Sequence, residues 1–381
     1  MDIILPGSTI GIIGGGQLGR MMAVAAKEMG YQVAVLDPTP NSPTGQLADV
    51  EIVAPYDDLE AAKQLADVSD VVTYEFENVD YDVLTWLEDN ANLPQGSELI
   101  QVTQDRANEK IAIEKSGAAF VPYHLVNSYD ELKQAIDRIG IPSVLKTRTG
   151  GYDGKGQVMV KSQSDIQEAA KLLEQGPCIL EKFIDFDKEI SVIVNRNGKG
   201  ETKTFPVGEN IHHEHILLQT IVPARVELSI NERAQHIAID LAESLDMVGT
   251  LGVEMFLTKE GHIYLNELAP RPHNSGHYTL NACETTQFQQ HVRAICQWPL
   301  GSTELQTPVV MMNILGEHVD KVVANIPNFR SGHLHLYGKN GVKPKRKVGH
   351  INVTGSELVT ILDHITSLNV WHMQDEASGV K

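Results

Sequence analysis

The chain has 381 residues, 42% hydrophobic and 21% charged, the composition of an ordinary globular protein long enough for two or three domains. Its formal net charge of −19 excludes nucleic acid and anionic membrane surfaces as partners, because no basic face could dominate the far field of such a molecule. The three cysteines, Cys178, Cys283 and Cys296, are odd in number and in no C-x-x-C pair, which argues against a disulfide framework or zinc site and for a reducing cytoplasm.

At the N-terminus, Met1-Asp2-Ile3-Ile4-Leu5-Pro6-Gly7 has no basic opening and its apolar run breaks at Pro6, so it does not read as a signal peptide. No later apolar run has the length needed to cross a bilayer. The first hundred residues predict strand 9–13, helix 18–29, strand 32–36 and a later strand 68–73, an alternation that implies a parallel sheet covered by helices. Gly14-Gly15-Gly16-Gln17-Leu18-Gly19 fits G-x-G-x-x-G directly after the first strand. Asp37 ends the next strand where a dinucleotide-binding fold places its ribose-binding acid. Taken by itself, this pattern points to an NAD-dependent oxidoreductase.

From Asp105 a charged helix runs to Ser116-Gly117, followed by strand 123–126, helix 129–139 and strand 143–147. A hairpin brings in strand 157–160, then helix 164–173 and a buried strand 178–182. Asn197-Gly198 reads as a hairpin turn between strands 190–195 and 202–206. Helix 231–244 precedes strands 249–257 and 262–268, and the remainder carries strands near 309–314, 333–337 and 349–353 with a last helix over 356–367.

Chemistry concentrates in three places. The hairpin tract Thr149-Gly150-Gly151-Tyr152-Asp153-Gly154-Lys155-Gly156-Gln157 can turn backbone N–H groups toward an anion, with Lys146 upstream as a fixed cation. It is not a Walker loop, since Gly156 stands where a hydroxyl residue would follow the lysine. The second place is a pair of acids: a turn centred on Glu260-Gly261 sets Glu254 directly opposite Glu267 on one face of an antiparallel pair. Thr250, Gly252 and Phe256 are the expected neighbours on one strand, Ile263 and Leu265 on the other. Two like charges so placed call for a divalent cation, and carboxylate oxygens suit Mg²⁺. The third place is the loop Leu268-Ala269-Pro270-Arg271-Pro272-His273-Asn274-Ser275-Gly276-His277, in which Arg271 can hold a carboxylate- or phosphate-like oxygen pair and the histidines can donate or relay protons.

The hairpin tract from Gly150 to Gln157, the run from Asn266 to His277 and the N-terminal Gly14-Gly15-Gly16-Gln17-Leu18-Gly19, with the later Tyr337-Gly338-Lys339 and Arg346-Lys347-Val348-Gly349-His350, resemble the N5-carboxyaminoimidazole ribonucleotide synthetase family of ATP-grasp enzymes nearly end to end. Lys343 departs from the pattern, since the family favours arginine before that proline. The resemblance implies an α/β and α+β fold. Its parts would be an N-terminal parallel-sheet, Rossmann-like pre-ATP-grasp domain over 1–104, an ATP-grasp module over 105–298 and a small C-terminal α+β domain over 299–381.

By the same resemblance Arg106 and Lys146 contact ATP phosphates, and the tract from Gly151 to Gln157 closes over them. Glu181-Lys182-Phe183-Ile184 supplies the adenine hinge, Glu189 binds the ribose hydroxyls with His212 near the nucleotide, and Glu254 and Glu267 hold Mg²⁺ or Mn²⁺ with Asn266 adjacent. Arg271 is assigned to the bicarbonate-derived group. Tyr152, Asp153, His273 and Asn274 are assigned to the aminoimidazole, with Asp153 taking the amine proton. Gly16, Gln17, Leu18, Glu75, Ser275, Lys339, Lys345 and Arg346 are assigned to the ribonucleotide. The implied reaction joins ATP, bicarbonate and 5-aminoimidazole ribonucleotide through carboxyphosphate, in a cytoplasmic homodimer. Competing readings are another ATP-grasp ligase of the formyl-phosphate or biotin carboxylase kind, the NAD-dependent dehydrogenase, and a non-catalytic nucleotide-binding regulator.

Overall fold

The computed structural model describes residues 2–151 and 155–371. The expected N-terminal alternation is present: β1 (Thr9–Ile13), α1 (Gln17–Glu28), β2 (Gln32–Asp37), β3 (Val50–Val53), α2 (Leu59–Asp67), β4 (Val71–Tyr74), α3 (Tyr81–Asn90) and α4 (Glu98–Gln104). The strands form one parallel sheet in the order β3-β2-β1-β4. Leu18, Met21, Met22, Ala25 and Ala26 give α1 a buried stripe at helical spacing, and it packs that stripe on the sheet. β4 begins at Val71, later than expected, because Val68 still caps α2. The sequence reading gave no helix at α2, α3 or α4, and the first two of these start on aspartate caps: Asp58 accepts from the Ala61 amide, and Asp80 from those of Asp82 and Val83.

Next come α5 (Arg106–Lys115), β5 (Tyr123–Val126), α6 (Tyr129–Ile139), β6 (Ser143–Thr147), β7 (Gln157–Val160), α7 (Ile166–Ala169) and β8 (Cys178–Lys182). Their strands make an antiparallel sheet, β5-β8-β6-β7. The helix expected over 164–173 is instead a single α turn, α7, between two 3₁₀ segments, Gln163–Asp165 and Ala170–Gln175. Its buried residues, Ile166, Ala169 and Leu172, recur every third position, which a three-residue turn serves better than a 3.6-residue one.

A nine-stranded sheet follows. It uses β9 (Lys188–Arg196), β10 (Thr202–Thr204), β11 (Gly208–His213), β12 (Ile216–Val222), β13 (Gly249–Leu257) and β14 (Ile263–Ala269), with α8 (Leu228–Ser244) packed beneath and α9 (Thr279–Ala282) and α10 (Gln287–Ile295) after β14. β15 (Val309–Leu315), α11 (Val319–Asn325), β16 (Gly332–Leu336), β17 (Lys347–Thr354) and α12 (Leu358–Ser367) complete the chain. The order is β14-β13-β9-β11-β12-β15-β17-β16, with β10 on β9, so the C-terminal strands extend the same sheet through the β12–β15 pair.

Two turns differ from expectation. The β9–β10 connection does not pivot on Gly198: Gly200 takes the left-handed conformation (φ +83°), while the Asn197 side chain accepts from the amides of Lys199 and Glu201. In the β13–β14 hairpin, Leu257 pairs with Ile263, so the turn centres one half-step earlier than expected, on Glu260. A bulge between Glu254 and Met255, with Asn266 as the extra residue, then restores Glu254 to its place opposite Glu267. The bulge also overturns the expected company of the two acids. Ile263 and Leu265 join Leu251, Val253 and Met255 in the core over α8, not the glutamate face.

The glycine loop after β1 is occupied by the protein's own acids. Gly14 turns at φ +107°, and the amides of Gly15 and Gly16 donate to Asp37 Oδ2 at 2.7 Å and to Glu75 Oε1 at 2.6 Å. Asp37 also accepts from Tyr56 Oη at 2.6 Å and from the Thr39 amide at 2.8 Å. It is a buried structural acceptor with no oxygen left over for a dinucleotide ribose. Asp37→Ala should therefore leave buried donors unpaired and cost about 2–3 kcal/mol in chemical denaturation while the far-ultraviolet spectrum stays native.

Candidate active site

Strand alternation on β6 and β8 sends Leu145, Cys178 and Leu180 into the core under α6 and turns Lys146 and Glu181 to the opposite face. There Glu181, 4% exposed, takes Lys146 Nζ at 2.5 Å on one oxygen and Lys110 Nζ at 3.0 Å on the other. Burial alone would push this carboxyl up, but the two ammonium groups outweigh it and hold it down at about 2. Lys110 is itself buried and reaches the Asn266 carbonyl. Arg106 and Lys110 are one helical turn apart on α5, so one face of that helix supplies both cations.

The β13 face opposite the α8 core carries Thr250, Gly252, Glu254 and Phe256, in register with Asn195, Ile193, Ser191 and Glu189 of β9. Glu254 faces Glu267 across the β13–β14 ladder. Burial, and next the charge of Glu267, raise Glu254 to about 7. Among the described residues no group of three or more His, Cys, Asp or Glu forms a closed metal site. Two opposed carboxylates with one of them short of a counter-ion do fit a cation that takes its remaining ligands from phosphate and water. Phe256 stacks on Phe186 at 4.7 Å, beside Glu189, whose Oε2 pairs with His212 Nδ1 at 2.8 Å. Burial opposes protonation of His212, but its bond to Glu189 and the charges of Glu189 and Glu254 prevail and raise it.

The loop after β14 folds back over this face. His273 Nε2 lies 3.6 Å from Glu254 Oε1, and its Nδ1 meets Ser275 Oγ at 2.9 Å, which in turn meets Ser191 Oγ at 2.9 Å. Nδ1 also accepts from the Ser275 amide, which assigns the ring proton to Nε2, toward Glu254. Burial, then the positive charges of Arg271 and Lys347, hold His273 well below the usual histidine range, and burial does the same to His277. Both rings are thus held toward the neutral form, in which one ring nitrogen can still donate a hydrogen bond. Arg271 Nη2 pairs with Glu77 Oε1 at 2.7 Å. The Asn274 carboxamide is buried with neither polar atom bonded, an orphan position worth about 1–3 kcal/mol to any group that satisfies it.

Of the remaining expected residues, Arg106 Nη2 reaches the Gly151 carbonyl at 3.4 Å, and Thr147 takes the Gly156 carbonyl, which closes the base of the glycine hairpin. Lys155 and Gln157 follow on its return side, while Tyr152, Asp153 and Gly154 lie outside the described residues. In the expected hinge the amides of Lys182 and Phe183 are committed to the carbonyls of Pro122 and Pro142, and the Ile184 carbonyl to Phe186, so a base edge would meet other groups of that segment. Gly16, Gln17 and Leu18 open α1 beside Glu75, where Lys339 and Arg271 contribute positive charge. Arg346 donates to the carbonyls of Asn340 and Gly341 and so shapes the turn that carries Lys339. Lys345 departs from expectation: it is exposed and pairs with Glu214 at 2.7 Å.

The sequence reading missed Glu77, Glu109, Lys110, Lys347, Asp105 and Arg148. Arg148 forks onto Asp105, the α5 cap, and so ties the glycine hairpin to that helix. Glu109 Oε1 accepts from the Leu268 amide at 2.7 Å, and burial raises this carboxyl to about 8. Glu77 was legible as the second acid of Glu75-Phe76-Glu77 at the carboxyl end of a parallel strand, where such sheets place their sites. A cavity of about 170 Å³ joins Glu77, Arg106, Arg148, Gly151 and Glu267. A larger open groove, about 530 Å³, lies on the far side by Lys188 and Arg225, both of which are spent on Glu209.

Comparison with known proteins follows this geometry. The ribonucleotide synthetase preATP-grasp domain matches residues 7–104, the ATP-grasp domain 111–288, and the phosphoribosylaminoimidazole carboxylase C-terminal domain 309–363. N5-carboxyaminoimidazole ribonucleotide synthase of Bacillus subtilis is 54% identical over 374 residues, 98% of each chain. The crystal structure of the ADP complex of an N5-carboxyaminoimidazole ribonucleotide synthetase superposes with a TM-score of 0.97 at 58% identity, covering 99% of this chain and 100% of that one. The Aspergillus clavatus enzyme in complex with ADP and 5-aminoimidazole ribonucleotide gives 0.90 at 34% identity, covering 95% and 97%.

The buried Lys146–Glu181–Lys110 triad sets a stability expectation. Glu181→Gln strands two ammonium groups and should cost about 3–5 kcal/mol in urea denaturation at pH 7. In the wild type the carboxylate contribution is complete above the unfolded value, near pH 4.3, and is lost only as pH falls through the folded value of about 2.

Proposed function

The chain belongs to the N5-carboxyaminoimidazole ribonucleotide synthase family of ATP-grasp enzymes, and we propose that it carries out that family's reaction with the residues brought together above. It is an ATP-dependent carbon–nitrogen ligase of purine biosynthesis that carboxylates 5-aminoimidazole ribonucleotide with bicarbonate. The observation that carries the residue assignment is the half-buried, opposed pair Glu254 and Glu267, whose charge is unbalanced beside the lysine-fed Glu181. Glu254 and Glu267 would hold Mg²⁺, or Mn²⁺, which when bound neutralises charge on the transferring phosphoryl group.

A bicarbonate oxygen attacks the γ-phosphorus as the bond to the ADP oxygen breaks, giving carboxyphosphate. The exocyclic amine then bonds to the carboxyl carbon as the carbon–oxygen bond to phosphate breaks and the amine loses a proton. Lys146 and Arg106 hold phosphate oxygens. The glycine hairpin from Gly150 to Gln157 excludes water from an intermediate that would otherwise hydrolyse. Arg271, oriented by Glu77, faces the bicarbonate-derived oxygens. Glu75, Gly16, Ser275, Asn274 and Lys339 surround the ribonucleotide, with Asn274 satisfying a polar edge of the aminoimidazole. His273 serves as a neutral donor that steadies Glu254. Asp153 as acceptor of the amine proton and a cytoplasmic homodimer belong to the same proposal.

The reaction is tested with bicarbonate carrying labelled oxygen. One labelled oxygen should enter the released phosphate for each carboxylated product, and unlabelled phosphate would remove carboxyphosphate from the scheme. The metal assignment has a pH signature. Glu254 must lose its proton to ligate, so in the metal-free protein its raised value makes the neutral form dominant below about 7. Without metal the carboxyl's contribution to stability is complete below the unfolded value and lost as pH rises through the folded one. With ADP present, apparent Mg²⁺ affinity should be about tenfold weaker at pH 6 than at pH 8, and the Mg²⁺-induced rise in Tm smaller. A pH-independent affinity would count against Glu254 as a ligand.

A further inference from the structure

β14 is the edge strand of the nine-stranded sheet, and among the described residues its outer side is paired only at the isolated bridge between Leu265 and Phe120. It is also the strand interrupted by the bulge at Asn266, the extra residue immediately before Glu267, so the direction of the Glu267 carboxylate depends on how the backbone around that bulge is held. α5 lies along this edge. Two adjacent residues of that helix meet two peptide groups of the strand. Lys110 Nζ donates to the Asn266 carbonyl at 3.4 Å, and Glu109 Oε1 accepts from the Leu268 amide at 2.7 Å. Those are the peptide units immediately before and after Glu267. The Leu265 amide, one residue before the bulge, is held in the same way by the Ala119 carbonyl just after α5.

We propose that Glu109 and Lys110 are positioning residues that lock the β14 bulge, and with it the direction of the Glu267 carboxylate, relative to the phosphate-binding lysine. The connection is continuous. Lys146 bonds one oxygen of Glu181, Lys110 bonds the other and the Asn266 carbonyl, and Glu109 closes the far side of Glu267. Glu109 is 2% exposed and Lys110 1%, so water does not compete for either contact. Fixing both peptide planes around one carboxylate is the role that outer groups play at metal sites, where their loss costs about 10–100-fold in affinity. Neither side chain touches the reacting atoms. The nearby charges of Arg106, Glu267 and Lys110 itself all bear on Glu109, so the effect is read by acceptor geometry, not by charge removal.

This inference rests on Glu267 as a metal ligand, and its test separates the two. Equilibrium Mn²⁺ affinity of the ADP-bound enzyme is measured by electron paramagnetic resonance, alongside metal-free ADP affinity and the Mg²⁺ dependence of turnover. Glu109→Leu removes the acceptor and should weaken Mn²⁺ at least about tenfold, raising the apparent KM for Mg²⁺ by a similar factor, with metal-free ADP affinity within about twofold. Glu109→Gln keeps an acceptor oxygen at the same reach and should recover Mn²⁺ affinity to within about threefold of wild type. If Glu109→Leu fails to fold, Glu109→Asp, one methylene too short for the Leu268 amide, carries the same expectation. Wild-type Mn²⁺ affinity in the Leu or Asp variant, with affinity lost in Glu267→Gln, overturns the positioning role. So does a Gln variant as weak as Leu. Wild-type affinity in Glu267→Gln overturns the ligand assignment instead.

Discussion

Two half-buried carboxylates facing each other across a hairpin are the constraint around which the rest of the site is arranged. Glu254 and Glu267 share one side of the sheet only because Asn266 is inserted into β14, and the regular ladder beyond it would have turned Glu267 toward the aliphatic core over α8. Like charges at that spacing destabilise a sheet. Their neighbours reduce the strain in different ways. His212 and Lys347 bring positive charge toward Glu254, His273 Nε2 lies 3.6 Å from it, and α5 grips the backbone on both sides of Glu267. None of these outweighs burial and the charge of Glu267, which is why Glu254 stays raised and why the pair is suited to a divalent cation bearing phosphate oxygens.

The N-terminal glycine loop follows the opposite logic. In a dinucleotide fold the loop amides point at a pyrophosphate. Here Asp37 and Glu75 already accept from Gly15 and Gly16, so the anion position is filled from within. A ligand entering beside Glu75 meets a carboxylate first. That suits an amine or ribose hydroxyl and repels a phosphate, which must lie toward Lys339 and Arg271. One backbone geometry thus serves a ligand of reversed polarity, and the motif describes the turn without specifying its guest.

Much of this was legible in the sequence. β1, β5, β6, β7, β8 and β13 end where alternation and turn residues place them, because in each the apolar period, the flanking glycine or proline and the buried face agree. The facing acids and the arginine–histidine loop were visible as clusters of chemistry on one hairpin. What was not visible depends on contacts across the fold. A bulge has no local signature here, since Asn266 is an unremarkable strand residue until β13 and α5 are both present. Glu109 and Lys110 read as ordinary charges on a charged helix, and only the folded chain gives them partners, on β14 for both and at Glu181 for Lys110. Lys345 shows the converse: its basic neighbourhood suggested an anion site, and a single exposed acid, Glu214, takes it up.

The same long-range view resolves how a molecule of net charge −19 can gather ATP, bicarbonate and a ribonucleotide, all anionic. The acidity is spread over a solvated surface, where salt screens it within about 10 Å. The cations of the site are instead withdrawn from solvent: Lys110 is buried, and Lys146, Arg106, Arg271 and Lys347 are half-buried. Low local dielectric makes each count for more than several surface acids. Burial first, and then the charges of Arg271 and Lys347, hold His273 well below the usual histidine range, since a further positive charge beside them would be unfavourable. A neutral imidazole there adds a donor without adding charge. The cations that draw in the substrates therefore reinforce what burial already does to the ring beside Glu254.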